Sequence, residues 1–117
     1  MKITSESNAF VALAHLCEPA DETINKRLAS GISPIEVLDM LLTTGFPKRD
    51  HIAFGHKFEA FNVEAELEFA QKIGARILTR DQEGWPTQLH ALGIAQPWAL
   101  WAIGSIDFRV IALSSVT

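Results

Sequence analysis

Residues able to do chemistry fall into a few groups in this chain. Asp50-His51 with His56 offers oxygen and nitrogen donors of the kind that hold a divalent metal. Two histidines share an ion from one helix face when they stand four residues apart. A spacing of five turns the second imidazole away, so these histidines are expected to be solvated or locally bonded. His15 and His90 are isolated in sequence. The densest basic cluster is Lys48-Arg49 with His51, His56 and Lys57, and Lys26-Arg27 is a smaller one. Such cations can position phosphates. Asp50, Glu59 and Glu64 also fit a balanced, solvated helix surface. Lys48, Arg49 and Lys57 are therefore weak candidates for nucleic-acid contact. Trp85, Trp98 and Trp101 could stack single-stranded bases, but Trp also carries a large apolar payload into cores. All three adjoin prolines or strand-like residues, which favours the core. Cys17 and Ser114-Ser115 lack a nucleophile elbow and a neighbouring base. The glycines are scattered as helix stops and turns and form no phosphate-cradling loop. The expectation is no catalytic residue, no metal and no cofactor.

Composition narrows the class. A chain of 117 residues is long enough for one domain that buries about two-thirds of its unfolded surface. Hydrophobic residues at 48% and charged residues at 21% are ordinary for a globular protein. A formal charge of −4 excludes a surface that is wholly a nucleic-acid footprint and leaves room for a local basic patch. One cysteine permits neither an internal disulfide nor a cysteine-based zinc site, and a cytoplasmic location is expected. Ser5-Glu6-Ser7-Asn8 is polar and His15 interrupts the apolar run that follows. Neither a signal peptide nor a transmembrane span is expected.

Helices must position most of these groups. The first is expected from Ser5 or Ser7 to about Cys17, with Phe10, Leu13 and Cys17 on one face and Ala14 beside them. Pro19 ends it. Asp21 caps a second helix carrying Ile24 and Leu28, stopped at Gly31. The third has the clearest start: Ser33 as cap, Pro34 as first residue and Glu36 completing a capping box. Ile35, Val37, Leu38, Met40, Leu41 and Leu42 wrap it, so it should be the most buried helix. Gly45 and Pro47 close it. Asp50 can start a fourth segment, weakened by Gly55. Phe58, Phe61, Ala65, Phe69 and Ile73 then suggest one long helix over 57–73, stopping at Gly74. The alternative is a break at Asn62, capping a separate helix.

The stretch from Gly74 to Gly104 changes character. Arg76-Ile77-Leu78-Thr79 and Ala99-Leu100-Trp101-Ala102-Ile103 are strand-like runs. Between them, Trp85 precedes a proline and is biased away from helix. Pro86 suits the start of a short helix over Thr87 to Leu92. A further apolar run, Arg109-Val110-Ile111-Ala112-Leu113, lies near the end.

As a pattern, this stretch is an acid, then Trp-Pro-x-x-Leu, then Pro-x-x-Leu-Trp-x-x-Gly. It resembles the DNA-processing protein family DprA, also called Smf, just ahead of its Rossmann-like domain. The matching positions are Asp81, Trp85, Pro86, Leu89, Pro97, Leu100, Trp101 and Gly104. Earlier positions also resemble the family, particularly its actinobacterial type. They are Ala12 to Glu18-Pro19 closing the first helix, Gly31 to Glu36 opening the third, and Gly74-Ala75-Arg76 before a strand.

The resemblance implies a mainly α fold. A helical N-terminal domain over 1–74, sterile-alpha-motif-like or helix-hairpin-helix-like, would precede a small α/β extension over 75–117. It implies a full protein that binds single-stranded DNA, assists loading of the RecA recombinase and serves uptake of transforming DNA. The family's Rossmann-like domain opens with a strand leading into a Gly-x-Arg phosphate-type turn and then more glycine-rich turns, and that succession is not present here. Ser115-Val116-Thr117 looks like the first residues of that strand. The chain is thus expected to be an N-terminal fragment, accessory to DNA binding and binding weakly or not at all alone. A protein-interaction domain without DNA contact is the other reading, and a small metal hydrolase a third that the ligand spacing disfavours.

Overall fold

The computed structural model describes residues 3–18, 21–46 and 48–103, with the side chains of Ile94 and Ile103 excepted. Pro19, Pro47, Gly104, the 109–113 run and Ser114-Ser115 lie outside the described residues. The described chain is mainly helical, with one small antiparallel sheet. Five α-helices come first: α1 (Glu6–Leu16), α2 (Glu22–Ala29), α3 (Pro34–Leu42), α4 (His51–Ala60) and α5 (Val63–Lys72). Strand β1 (Ala75–Thr79), a 3₁₀ segment (Thr87–Ala95) and strand β2 (Ala99–Ile103) follow.

Each helix opens on a side-chain cap. Ser5, Asp21, Ser33, Asp50 and Asn62 accept from backbone N–H groups two or three residues on. These are groups the helix itself leaves unpaired. At Ser33 the box closes in one direction: Glu36 N donates to Ser33 Oγ at 3.2 Å, and that hydroxyl reaches Glu36 Oε1 at 3.4 Å. Gly31 stops α2 with φ 101° and Gly74 stops α5 with φ 75°, a region that favours glycine. Gly45 has a different reason to be glycine. A Cβ there would stand 2.6 Å from the Met40 Cβ, so the chain leaving α3 can fold back only without a side chain.

Burial corrects two expectations. Helix α3, expected to be the most buried helix, shares that place with α1: four of its nine residues are buried, against five of eleven in α1. Five consecutive residues, 9–13, are buried in α1, because it packs against α3, α4, α5 and both strands. In α3, Pro34, Val37, Leu38 and Leu41 are buried, whereas Ile35, Met40 and Leu42 are only partly covered. The second concerns the long helix over 57–73, which is two helices, as in the alternative with a break at Asn62. The chain leaves helical geometry at Phe61 (φ −86°, ψ 138°), and Asn62 caps α5. This turn drives the Phe61 ring into the core, where it stacks on His15 with centroids 4.7 Å apart. The apolar stripe does not continue. Val63 and Ala70 are the buried residues of α5, while Phe69 and Ile73 are 60% and 51% exposed.

The sheet pairs Ala75 with Ile103, Ile77 with Trp101 and Thr79 with Ala99. Residues 80–98 connect the strands, and the 3₁₀ segment within them packs against α2. The short helix expected over 87–92 is a 3₁₀ segment reaching Ala95, kinked at Gly93 (φ 56°). Pro86 stands just before it rather than as its first residue. Leu78, Trp85, Leu89 and Leu100 form a small apolar cluster of their own. Trp98 instead joins the main core made by the helices.

Candidate functional site

The basic residues are gathered around one aromatic ring. Phe46 lies in the α3–α4 connection and is 4% exposed. The Arg27 guanidinium, from α2, sits 4.9 Å from its ring centroid, and that of Arg49 sits 5.5 Å from it. A cation over an aromatic face is attracted by the ring quadrupole. The two short basic pairs, far apart in sequence, thus meet in space. Thr23, Arg27, Phe46, Lys48 and Arg49 line a concave region of about 460 Å³. Lys48 is exposed at its rim.

Arg49 also holds Asp21, with Nη2 to Oδ2 at 2.6 Å. Burial by itself would raise the Asp21 carboxyl. Hydrogen bonds from Arg49 and from the Ile24 and Thr23 N–H groups, with the Arg49 charge, outweigh it and hold the group below its ordinary value.

Lys57, the third basic candidate, faces elsewhere. It lines a second cavity of about 520 Å³ with His15, Cys17, Glu18, Asp50 and Phe54, and Arg49 forms part of the wall of both cavities. Burial pushes the Cys17 thiol up to about 11, ahead of the opposing effect of Arg49. A thiol so raised stays protonated at neutral pH and is a poor nucleophile. Asp50 Oδ1 accepts from both Ile52 N and Ala53 N as the α4 cap, so that oxygen is committed to the helix. Among the described residues, no three His, Cys, Asp or Glu side chains come together as ion ligands.

Of the positions on which the expected resemblance rests, Trp85, Pro86, Leu89, Pro97 and Leu100 are packed. Trp85 is 6% exposed, and its indole N–H donates to Gln96 Oε1 at 2.8 Å. Leu89 and Leu100 share its cluster, and Pro86 and Pro97 are buried. Asp81 is exposed and accepts from the Ser7 hydroxyl at 2.8 Å and from the Thr79 hydroxyl. It therefore ties the turn after β1 to the first turn of α1. Trp101 is 37% exposed.

A buried polar hub went unrecognised in the sequence. Asn25, on α2, is 1% exposed. Its Oδ1 accepts from Trp98 Nε1 at 2.6 Å and from Arg80 Nη1 at 3.2 Å, and its Nδ2 donates to the Gln96 carbonyl at 3.1 Å. Arg80 also lies 5.3 Å from the centroid of the Phe10 ring, and burial lowers its pKa. The available signal was an asparagine beside Ile24 inside a short helix, where Asn is a poor helix former.

Comparison with known proteins finds no matching family, no matching curated protein and no matching solved structure. No helix among the described residues is long and apolar enough to cross a membrane.

Proposed function

We propose that this chain is a non-enzymatic accessory module of a cytoplasmic DNA-processing protein. That protein would bind single-stranded DNA and assist RecA loading, as the likeness to DprA implies. One observation carries the reading. Trp85, Leu89 and Leu100 close on Leu78 as a packed cluster, with Pro86 and Pro97 buried. These five family-like residues are packed and not offered to a ligand, which supports a scaffold role for them. Asp81, bonded to Ser7 and Thr79, serves the same end. Contact with a strand falls to the basic side chains near the α3–α4 connection, with Lys48, Arg49 and Lys57 the residues first singled out.

The exposed Phe69 on α5 and Ile73 just after it favour a second reading, a protein-interaction module without DNA contact. Two measurements separate them. Fluorescence anisotropy with a labelled oligonucleotide is expected to show weak binding that moderate salt suppresses. Immobilised RecA is expected to retain the chain. Failure to bind either one at any salt would refute the accessory reading. Binding to RecA alone would favour the protein-interaction module. Micromolar DNA binding that survives moderate salt would make the chain a DNA-binding domain in its own right.

A further inference from the structure

We infer that the cavity lined by Thr23, Arg27, Phe46, Lys48 and Arg49 is an anion site that takes a phosphodiester of single-stranded nucleic acid. The inference rests on the DNA-processing reading and names the surface that would touch the strand. It brings in Arg27, which sequence spacing separated from the other basic residues, and it sets Lys57 apart.

The charge balance is local and opposite to that of the chain. Three cations line the cavity and no carboxylate does. Asp21 neutralises part of Arg49 from behind, which leaves two net positive charges in a chain of net charge −4. Glu22, the next acid along, is engaged by Lys26 at 3.0 Å. The cavity of Lys57 is different: Glu18 and Asp50 line it too, so its cations are locally balanced.

The geometry suits phosphate. Both guanidiniums rest against the buried Phe46 ring and are held in place before any ligand arrives. A planar, positioned guanidinium offers paired N–H groups to two phosphate oxygens. The Thr23 hydroxyl adds a neutral donor. Phe46 is too covered to stack a base, so recognition is of the backbone and independent of sequence.

Asp21 competes with a phosphate for Arg49, and this supplies the decisive variant. Asn caps helices as well as Asp does, so Asp21→Asn keeps the α2 cap and releases the Arg49 charge. One further phosphate contact on a single strand adds about 0.7 to the salt slope, or roughly eightfold in affinity at about 50 mM salt. The test is an NMR titration of the full 117-residue chain, with oligothymidine and, separately, with inorganic phosphate. Oligothymidine is expected to shift the backbone amides of Thr23, Arg27, Lys48 and Arg49. D21N should tighten binding several-fold. R27A/K48A should weaken it tenfold or more, and K48E, at an exposed position that leaves packing intact, should do the same. K72E, the same two-unit charge change as K48E but on α5, should leave binding within about twofold.

Shifts centred elsewhere, unchanged affinity in D21N, or full binding by K48E would overturn the site. No response to either probe would overturn it as well. A response to inorganic phosphate without one to oligothymidine would make this a site for small phosphorylated ligands and overturn the strand. Oligothymidine binding with shifts centred elsewhere, together with RecA binding, would overturn this site and leave the accessory reading standing; RecA binding with no response to oligothymidine would overturn both in favour of the protein-interaction module.

Discussion

Replacing Asn25 with Ala should be among the most damaging single changes in the chain. The side chain is 1% exposed and serves Trp98, Arg80 and Gln96 at once. Without it, the Trp98 indole N–H, on a residue 2% exposed, loses its acceptor where water does not reach. A buried donor left unpaired costs about 1–3 kcal/mol. Arg80, half-buried, loses an acceptor and keeps only the Gln96 carbonyl at 3.4 Å, which adds roughly 1 kcal/mol or more for a hydrogen bond from a charged group. The small cavity left by the amide adds about 1 kcal/mol. The sum is about 3–5 kcal/mol, a large share of the ~5–15 kcal/mol that holds a domain of this size. Urea unfolding followed by tryptophan fluorescence measures it. Trp98→Phe is the partner variant, since it removes the donor and keeps an aromatic ring. In the W98F background the cost of N25A should fall by at least ~1 kcal/mol, because the orphaned N–H is gone. A loss below about 1 kcal/mol for N25A alone, or strict additivity of the two changes, would refute the hub.

The α3 start and the Asp21 pair give two further expectations. Ser33→Ala should cost about 1 kcal/mol through loss of the cap, and Leu38→Ala about 2–5 kcal/mol through the cavity it leaves. Equal and negligible shifts in denaturant melts would show that α3 is not part of the core. Because folding lowers the Asp21 pKa from its ordinary 3.8, the ionised carboxylate stabilises the fold above that value. The contribution disappears as pH falls through the lower, folded value. Thermal melts should therefore find wild type more stable than D21N at neutral pH, with the gap closing between about pH 5 and pH 2; a gap constant with pH would contradict the pairing.

Local signals were legible in the sequence where the physics is local. The Ser33-Pro34-Glu36 start, the stops at Gly31 and Gly74 and the strand runs on either side of Trp85 all depend on neighbours within a few residues, and the elements formed there. The fold class, helices followed by a small sheet, followed from the same signals. What escaped depends on distant partners. The period through Phe58, Phe61, Phe69 and Ile73 suits one helix and the Asn62 cap suits two; the contact of the Phe61 ring with His15, which goes with the break, lies far apart in sequence. The centrality of α1 follows from what surrounds it, which no run of its own residues encodes. Lys48 and Arg49 were visible as a basic pair, but their meeting with Arg27 depends on the Phe46 ring, which both guanidiniums face. Gly104 and the 109–113 run lie outside the described residues.

Trp98 sets the order in which this chain can be finished as it emerges from the ribosome. Its ring belongs to the core of the helices, yet it is made 73 residues after Asn25, whose amide it satisfies. Through that interval of vectorial synthesis, α1 to α5 can form and associate only around an unfilled space, with Asn25 still hydrated. The nascent bundle is thus loosely packed and presents apolar surface to chaperones until β2 arrives. The same dependence runs in reverse in the mature chain. Cleavage between Arg80 and Gln96 would cut no helix of the bundle, but it would make retention of Trp98 a bimolecular problem and slacken helices remote from the nick.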